Sequence, residues 1–227
     1  MPYFTDATFD FLRELARHNN REWFEANRAR YEEHVKGAAV RFIVDFGPHL
    51  ARISAHLRAD PRPVGGSLFR IYRDMRFARD RRPYKTHLGI RFPHDRARDV
   101  HAPGLYLHIE PANAFVACGI WRPDSGALRR LRDAMVEDPD AWVAARDDAG
   151  FRDWFGMDDG DRLKRAPRGY DRDHPLIEDL KRKDFTASAE LLPEVVTRDD
   201  FLEACAAICA ASAPFMRWLC RALALPF

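Results

Sequence analysis

Lysine is scarce in this chain. Only five of its 37 basic residues are Lys (Lys36, Lys85, Lys164, Lys181 and Lys183), and the rest are Arg. A GC-rich coding bias produces such a skew without functional pressure, so counting Arg identifies nothing. Lys85 gains interest by contrast, because an amine is a compact charge with a tunable pKa. Net charge is nearly absent as well: 37 basic residues face 35 acidic ones, for +2. That excludes strong non-specific attraction to nucleic acid or anionic lipid and confines any recognition by cations to a local cluster.

Other absences narrow the classes further. No apolar run reaches the roughly 20 residues of a membrane span. The richest stretch, Ala204 to Met216, is interrupted by Ser212 and Pro214. The chain does not open with a basic segment followed by an apolar one, so the expectation is a cytoplasmic protein without a secretory signal or membrane partner. The four cysteines, Cys118, Cys205, Cys209 and Cys220, lack C-x-x-C spacing. Buried free thiols are expected rather than a zinc site or disulfide framework. Walker, Rossmann, G-x-S-x-G and H-E-x-x-H patterns are missing too, and no cofactor is expected.

What is present suffices for one sizeable core: 227 residues, 46% hydrophobic and 12% aromatic. Thr5 or Asp6 caps a first helix carrying Phe9, Leu12 and Leu15, and Asn20 caps a second whose stripe runs to Gly47-Pro48 with a break near Gly37. A further helical stretch covers Leu50 to Leu57. From Ser67 the period changes to two. Strands are expected over Leu68 to Phe77, Thr86 to Phe92, Leu105 to Glu110 and Phe115 to Trp121, with Asp184 to Leu191 as another. Pro111-Ala112-Asn113 makes a hairpin connection and His94 to His101 a polar loop. Helices return from Asp124, and Thr197-x-x-Asp200 has the form of a capping box before the last of them. Arg129, Arg130, Arg132 and the Lys181-Arg182-Lys183 run fit solvated helix faces. Helices, then strands, then helices make an α+β fold: a central antiparallel sheet of four to five strands, with helices from both termini on one face. One domain, 1–227, is expected, with a helical part at 1–60, the sheet at 67–122 and a mainly helical remainder at 123–227.

Residue parity divides the sheet into two faces. Phe69, Ile71, Met75 and Phe77 share a side opposite Arg70, Tyr72, Asp74 and Arg76. Leu88, Ile90 and Phe92 oppose His87, Gly89 and Arg91. Leu105, Leu107 and Ile109 oppose Tyr106, His108 and Glu110. Gly89, Ala117 and Gly119 would leave a hollow on the ionic side, walled by Trp121. Arg73, on the oily side, needs a carboxylate, for which Glu14, Glu22 and Glu25 are the candidates.

The pattern G-G-S-x-F-R-x-x-R-D-x-R-F-x-x-x-x-x-P-Y-K-x-H over Gly65 to His87 resembles the signature of the bacterial Domain of Unknown Function 2461 family. Asn19-Asn20-Arg21-Glu22-Trp23-Phe24, Gly104-Leu105-Tyr106-Leu107-His108, Gly119-Ile120-Trp121-Arg122-Pro123 and Pro167-Arg168-Gly169-Tyr170 extend the likeness, and so does Asp173-His174-Pro175. The chain departs at Asp80-Arg81, where such sequences carry Asp-Lys. The resemblance implies one full-length domain centred on this motif and brings no assigned activity with it.

The residues therefore point to a site for a small anionic or phosphorylated molecule. Arg70, Tyr72, Arg76, Tyr84, Lys85, Arg91 and Trp121 are its candidate contacts, and Asp74, His87 and His108 its acid–base groups. His108 and Glu110 with His87 and Asp74 also resemble a metal-ligand set. No recognised spacing supports it, and Arg70, Arg76 and Arg91 on the same face would repel a cation, so no metal is expected. Two other readings use the same cations: a nucleic-acid- or protein-binding module on the basic rim at residues 79–82, and a structural charge network without a ligand.

Overall fold

A computed structural model describes residues 1–74, 76, 80–96 and 102–227. The chain opens with helices α1 (Asp6–Arg17), α2 (Arg21–Ala26), α3 (Arg28–Tyr31), a π-helical turn (Glu32–Gly37) and α4 (Ala38–Ile53). Strands β1 (Leu88–Pro93), β2 (Gly104–Ile109) and β3 (Ala114–Ile120) follow, then α5 (Ser125–Glu137), α6 (Pro139–Arg146), α7 (Ala149–Arg152) and the short strand β4 (Gly156–Met157). The chain ends with α8 (Ile177–Leu180), β5 (Phe185–Leu191), α9 (Pro193–Val196), α10 (Phe201–Ala211) and α11 (Ala213–Ala222). The five strands form one antiparallel sheet in the order β1-β2-β3-β5-β4, so the fold is α+β.

Local chemistry accounts for the helix boundaries. Asn20 accepts the Trp23 N–H at 2.9 Å and so caps α2, while the break expected near Gly37 is the π-helical turn. Two boundaries differ from expectation. α4 continues through Pro48 to Ile53 rather than stopping at Gly47-Pro48, at the cost of one backbone donor. The box at Thr197-x-x-Asp200 does not form: Thr197 Oγ1 turns back to the Pro193 carbonyl and Asp200 pairs with Arg198.

One face of the sheet is the core. Leu88, Ile90, Phe92, Leu105, Leu107, Ile109, Val116 and Ile120 are buried in one cluster with the helix side chains. Phe46 of α4 meets Phe92 at 4.9 Å between ring centroids, and Trp142 of α6 meets Phe185 at 5.9 Å. Each such side chain removed from water contributes about 1.5–3 kcal/mol. All four cysteines lie in this interior as free thiols. Arg132 and Arg182 are buried here as well, contrary to the expectation of solvated faces. Arg132 donates to the Leu180 and Arg182 carbonyls, and Arg182 pairs with Asp179, which also accepts from Trp142 Nε1. Buried guanidinium groups are tolerated because each finds acceptors. No described helix is long and apolar enough to cross a membrane.

Candidate functional site: a pocket on the outer face

The other face carries His87, Gly89 and Arg91 beside β2 residues Tyr106 and His108, β3 residues Phe115, Ala117 and Gly119, and β5 residues Thr186, Ser188 and Glu190. Register fixes this: Gly89 pairs with His108, His108 with Phe115, Arg91 with Tyr106, Tyr106 with Ala117, and Ala117 with Ser188. Two glycines make the surface concave. A Cβ on Gly119, whose φ is +115°, would lie 2.0 Å from the Phe185 carbonyl oxygen, and one on Gly89 would lie 2.7 Å from the Tyr106 hydroxyl. A cavity of about 480 Å³ results. Ala117 and Gly119 form its floor, Phe69, Tyr106, Phe115 and Trp121 its walls, and Arg91 and Asp158 its charged lining.

Arg91 is the unusual member. Its Nε is buried and has no hydrogen-bond partner among the described residues, while its guanidinium stands 5.7 Å from the Phe69 ring centroid. Lys85 approaches the same ring at 5.4 Å and donates to the Arg70 carbonyl at 2.7 Å. Burial pushes the Lys85 amine below its usual pKa, and the neighbouring Arg70 adds to this.

Beside the pocket lies a histidine pair. The His87 and His108 rings are 4.4 Å apart, and His108 stacks on Phe115 at 4.8 Å. Tyr106 Oη is 3.0 Å from His108 Nδ1, Glu110 Oε2 is 3.4 Å from His108 Nε2, and Thr86 Oγ1 donates to Glu110 Oε1 at 2.8 Å. Burial pushes His87 down to about 4, helped by His108 alongside, and lowers His108 as well. Burial also raises the Tyr106 phenol to about 12. His108 is thus linked to a phenol and a carboxylate, with the His87 ring packed against it, and burial disfavours the charged form of both imidazoles, an arrangement equipped to pass a proton or to bind a cation.

The first expected strand is where the sequence-based assignment breaks. Among the described residues, Leu68 to Phe77 forms only isolated bridges, Leu68 to Ile90 and Tyr72 to Tyr84; Met75, Phe77 and Arg79 lie outside those residues, as does the end of the loop to His101. Four steps from Leu68 to Tyr72 face six from Tyr84 to Ile90, so the Lys85–His87 stretch bulges and no regular ladder forms. Leu68 opposite Ile90 puts Phe69 on the outer face, against the expectation that it joins the oily side, whereas Ile71 is buried.

The candidate residues therefore separate. Arg91 and Trp121 line the pocket, and His87 and His108 adjoin it. Arg70 and Tyr72 line a different cleft of about 260 Å³ with Arg28, Lys36 and Arg62. Asp74 and Arg76 pair with each other in solvent at 2.7 Å, an interaction that holds the Asp74 carboxyl down to about 2. Tyr84, only 2% exposed, stacks on Phe24 at 4.2 Å, and its backbone N–H and C=O both bond the Asn19 amide at 3.0 Å. Arg73 takes Asp80 as its carboxylate, not Glu14, Glu22 or Glu25; Asp80 also holds Arg82, and Glu14 and Glu25 are held by Arg30 and Arg28. Sequence reasoning did not place Phe69, Tyr106, Phe115, Asp158 or Thr186 as pocket lining. An aromatic facing a cross-strand glycine, as Phe69 faces Gly89, was the available signal for the first of these.

Such an architecture, an α+β chain whose antiparallel sheet backs onto a helical core and opens an aromatic pocket on its other side, defines a fold class and a cavity but no reaction. The chain belongs to the family of conserved hypothetical proteins DUF2461, whose family model matches residues 7–218. No curated protein and no solved structure gives a match.

Proposed function

We propose that the pocket binds a small molecule with a flat apolar body and one anionic group, a carboxylate or a phosphate. The observation that carries this is the buried, unpartnered Arg91 Nε in the wall of an aromatic cavity. A buried donor left without an acceptor costs about 1–3 kcal/mol, a penalty that an incoming oxyanion removes. The cavity volume of about 480 Å³ matches a metabolite-sized ligand. Phe69, Tyr106, Phe115 and Trp121 supply ring faces, and the small floor residues Ala117 and Gly119 let a planar group approach the backbone. The lining around Arg91 is mostly apolar, which favours a molecule with a ring over a free inorganic ion.

On the basic rim at residues 79–82, the ground of the alternative reading, Asp80 is shared between Arg73 and Arg82, and Arg79 lies outside the described residues. Thermal-shift and calorimetric screening with nucleoside monophosphates, aromatic carboxylates and inorganic phosphate tests the proposal. A ring-bearing anion should stabilise the parent more than phosphate does, and Arg91→Met and Ala117→Leu should each abolish that gain. If no ring-bearing anion binds, or if both variants bind as the parent does, the proposal fails.

A further inference from the structure

We infer that His87, His108 and Glu110 form a binding site for one divalent first-row transition metal ion, independent of the pocket's organic ligand. Each residue offers one ligand atom, and the three atoms lie within 4.8 Å of one another. His108 Nε2 and Glu110 Oε2 are 3.4 Å apart, which is about the separation of two ligands placed ~2.1 Å from a tetrahedral ion. Imidazole nitrogens with one carboxylate select a borderline ion such as zinc, cobalt or ferrous iron over magnesium or calcium.

The surroundings hold these ligands as an outer sphere holds a metal site. Thr86 engages Glu110 Oε1 and leaves Oε2 directed at the histidine. The Tyr106 hydroxyl, 3.0 Å from His108 Nδ1, can accept that nitrogen's proton, and in that tautomer the Nε2 lone pair is free for a metal. Phe115 fixes the ring plane from behind. His87 makes no hydrogen bond among the described residues and packs its ring on His108, so its nitrogens are available.

A second cluster of the same composition shows the contrast. His56, His94 and Asp95 also lie close enough for a metal. There His94 Nε2 faces the Pro226 carbonyl at 2.8 Å and Nδ1 accepts the Arg96 N–H at 3.1 Å, while Asp95 is taken by Arg58 and His56. Those ligand atoms are already occupied by the fold. Repulsion from arginine, the sequence-level objection to a metal, weakens at the first cluster because Arg76 is paired with Asp74 in solvent and Arg70 lines another cleft. Lys85 and Arg73 still act on His87 and Arg91 stays on the same face, so micromolar rather than picomolar affinity is expected.

Titration of the chelator-stripped full chain with zinc or cobalt(II) provides the test. One ion should bind per chain, and the cobalt form should show the visible bands of a nitrogen- and oxygen-ligated ion. His87→Ala and Glu110→Gln should each weaken binding by at least about tenfold with unchanged circular dichroism, and His56→Ala should leave it unaltered. Arg91→Met should leave it unaltered as well, which keeps failure of this site distinct from failure of the pocket. Should either ligand variant unfold, cobalt added to the parent must still perturb the imidazole resonances of His87 and His108 while sparing those of His56 and His94. No stoichiometric binding, binding undiminished by both ligand variants, or perturbation confined to His56 and His94 overturns the inference.

Discussion

The two faces of the sheet are made by the same strands, yet they differ in how completely their groups are satisfied. On the core face, Ile90, Phe92, Leu107 and Val116 are at most 1% exposed and packed on all sides. On the outer face, Arg91 keeps a nitrogen and His87 a ring without a hydrogen-bond partner among the described residues, and Trp121 is 54% exposed. Satisfied groups report what holds the chain together, and unsatisfied ones report what it has room to hold. The same difference separates the two histidine clusters, one closed by its own backbone and the other open.

Substitutions should sharpen that contrast. The largest effect is expected from Phe92→Ala, which opens a void against Phe46 and should cost about 3–5 kcal/mol in urea unfolding. Gly119→Ala comes next: it forces a left-handed conformation and a clash with the Phe185 carbonyl and should cost about 2–3 kcal/mol. A loss below 1 kcal/mol would mean that the β3–β5 contact yields easily.

A smaller effect is expected from pH. His87 faces His108, Glu110, Lys85 and Arg73, and its pKa falls from 6.5 unfolded to about 4 folded. Between those values the unfolded chain binds the proton and the folded chain does not, so the metal-free protein loses stability as pH drops from 6.5 to 4 and no further from this group below that. After screening of the partly exposed ring the loss is on the order of 1–2 kcal/mol. Melting curves of the parent and His87→Gln at pH 7.5, 5.5 and 4 isolate it; parallel curves would contradict the buried neutral ring. The smallest effect belongs to Arg91→Met, expected within about 0.5 kcal/mol of the parent or slightly above it, because a buried donor without an acceptor is removed. A large loss there would place Arg91 on the structural side of the comparison.

Much of this was legible in the sequence because three of the strands are regular. Leu88-Ile90-Phe92 and Leu105-Leu107-Ile109 alternate cleanly, so their buried side follows from period two, while Val116-Cys118-Ile120, opposed by Phe115 and Trp121, is decided by its register with β2. The α+β class, the fifth strand at Phe185–Leu191 and the hollow over Ala117 and Gly119 follow from the same rule, whereas the space over Gly89 is taken by Phe69 and Tyr106. Leu68 to Phe77 misled because alternation carries no sign of a bulge. Leu68 rather than Phe69 took the place opposite the buried Ile90, which turned Phe69 outward, and Arg70, Asp74 and Arg76 went elsewhere. Arg132 and Arg182 look like surface charges in sequence, since their acceptors are backbone carbonyls and Asp179 brought close only by folding. Asp158 belongs to a connecting segment without periodicity, so nothing placed it in the pocket wall.

Asn19, in the turn after α1, grips both backbone polar groups of Tyr84 across 65 positions of chain. Lys85 and His87 come directly after that grip. The opening helices are therefore a tether for the rim of the outer hollow, and nicking the polypeptide ahead of α2 would loosen that rim from a distance.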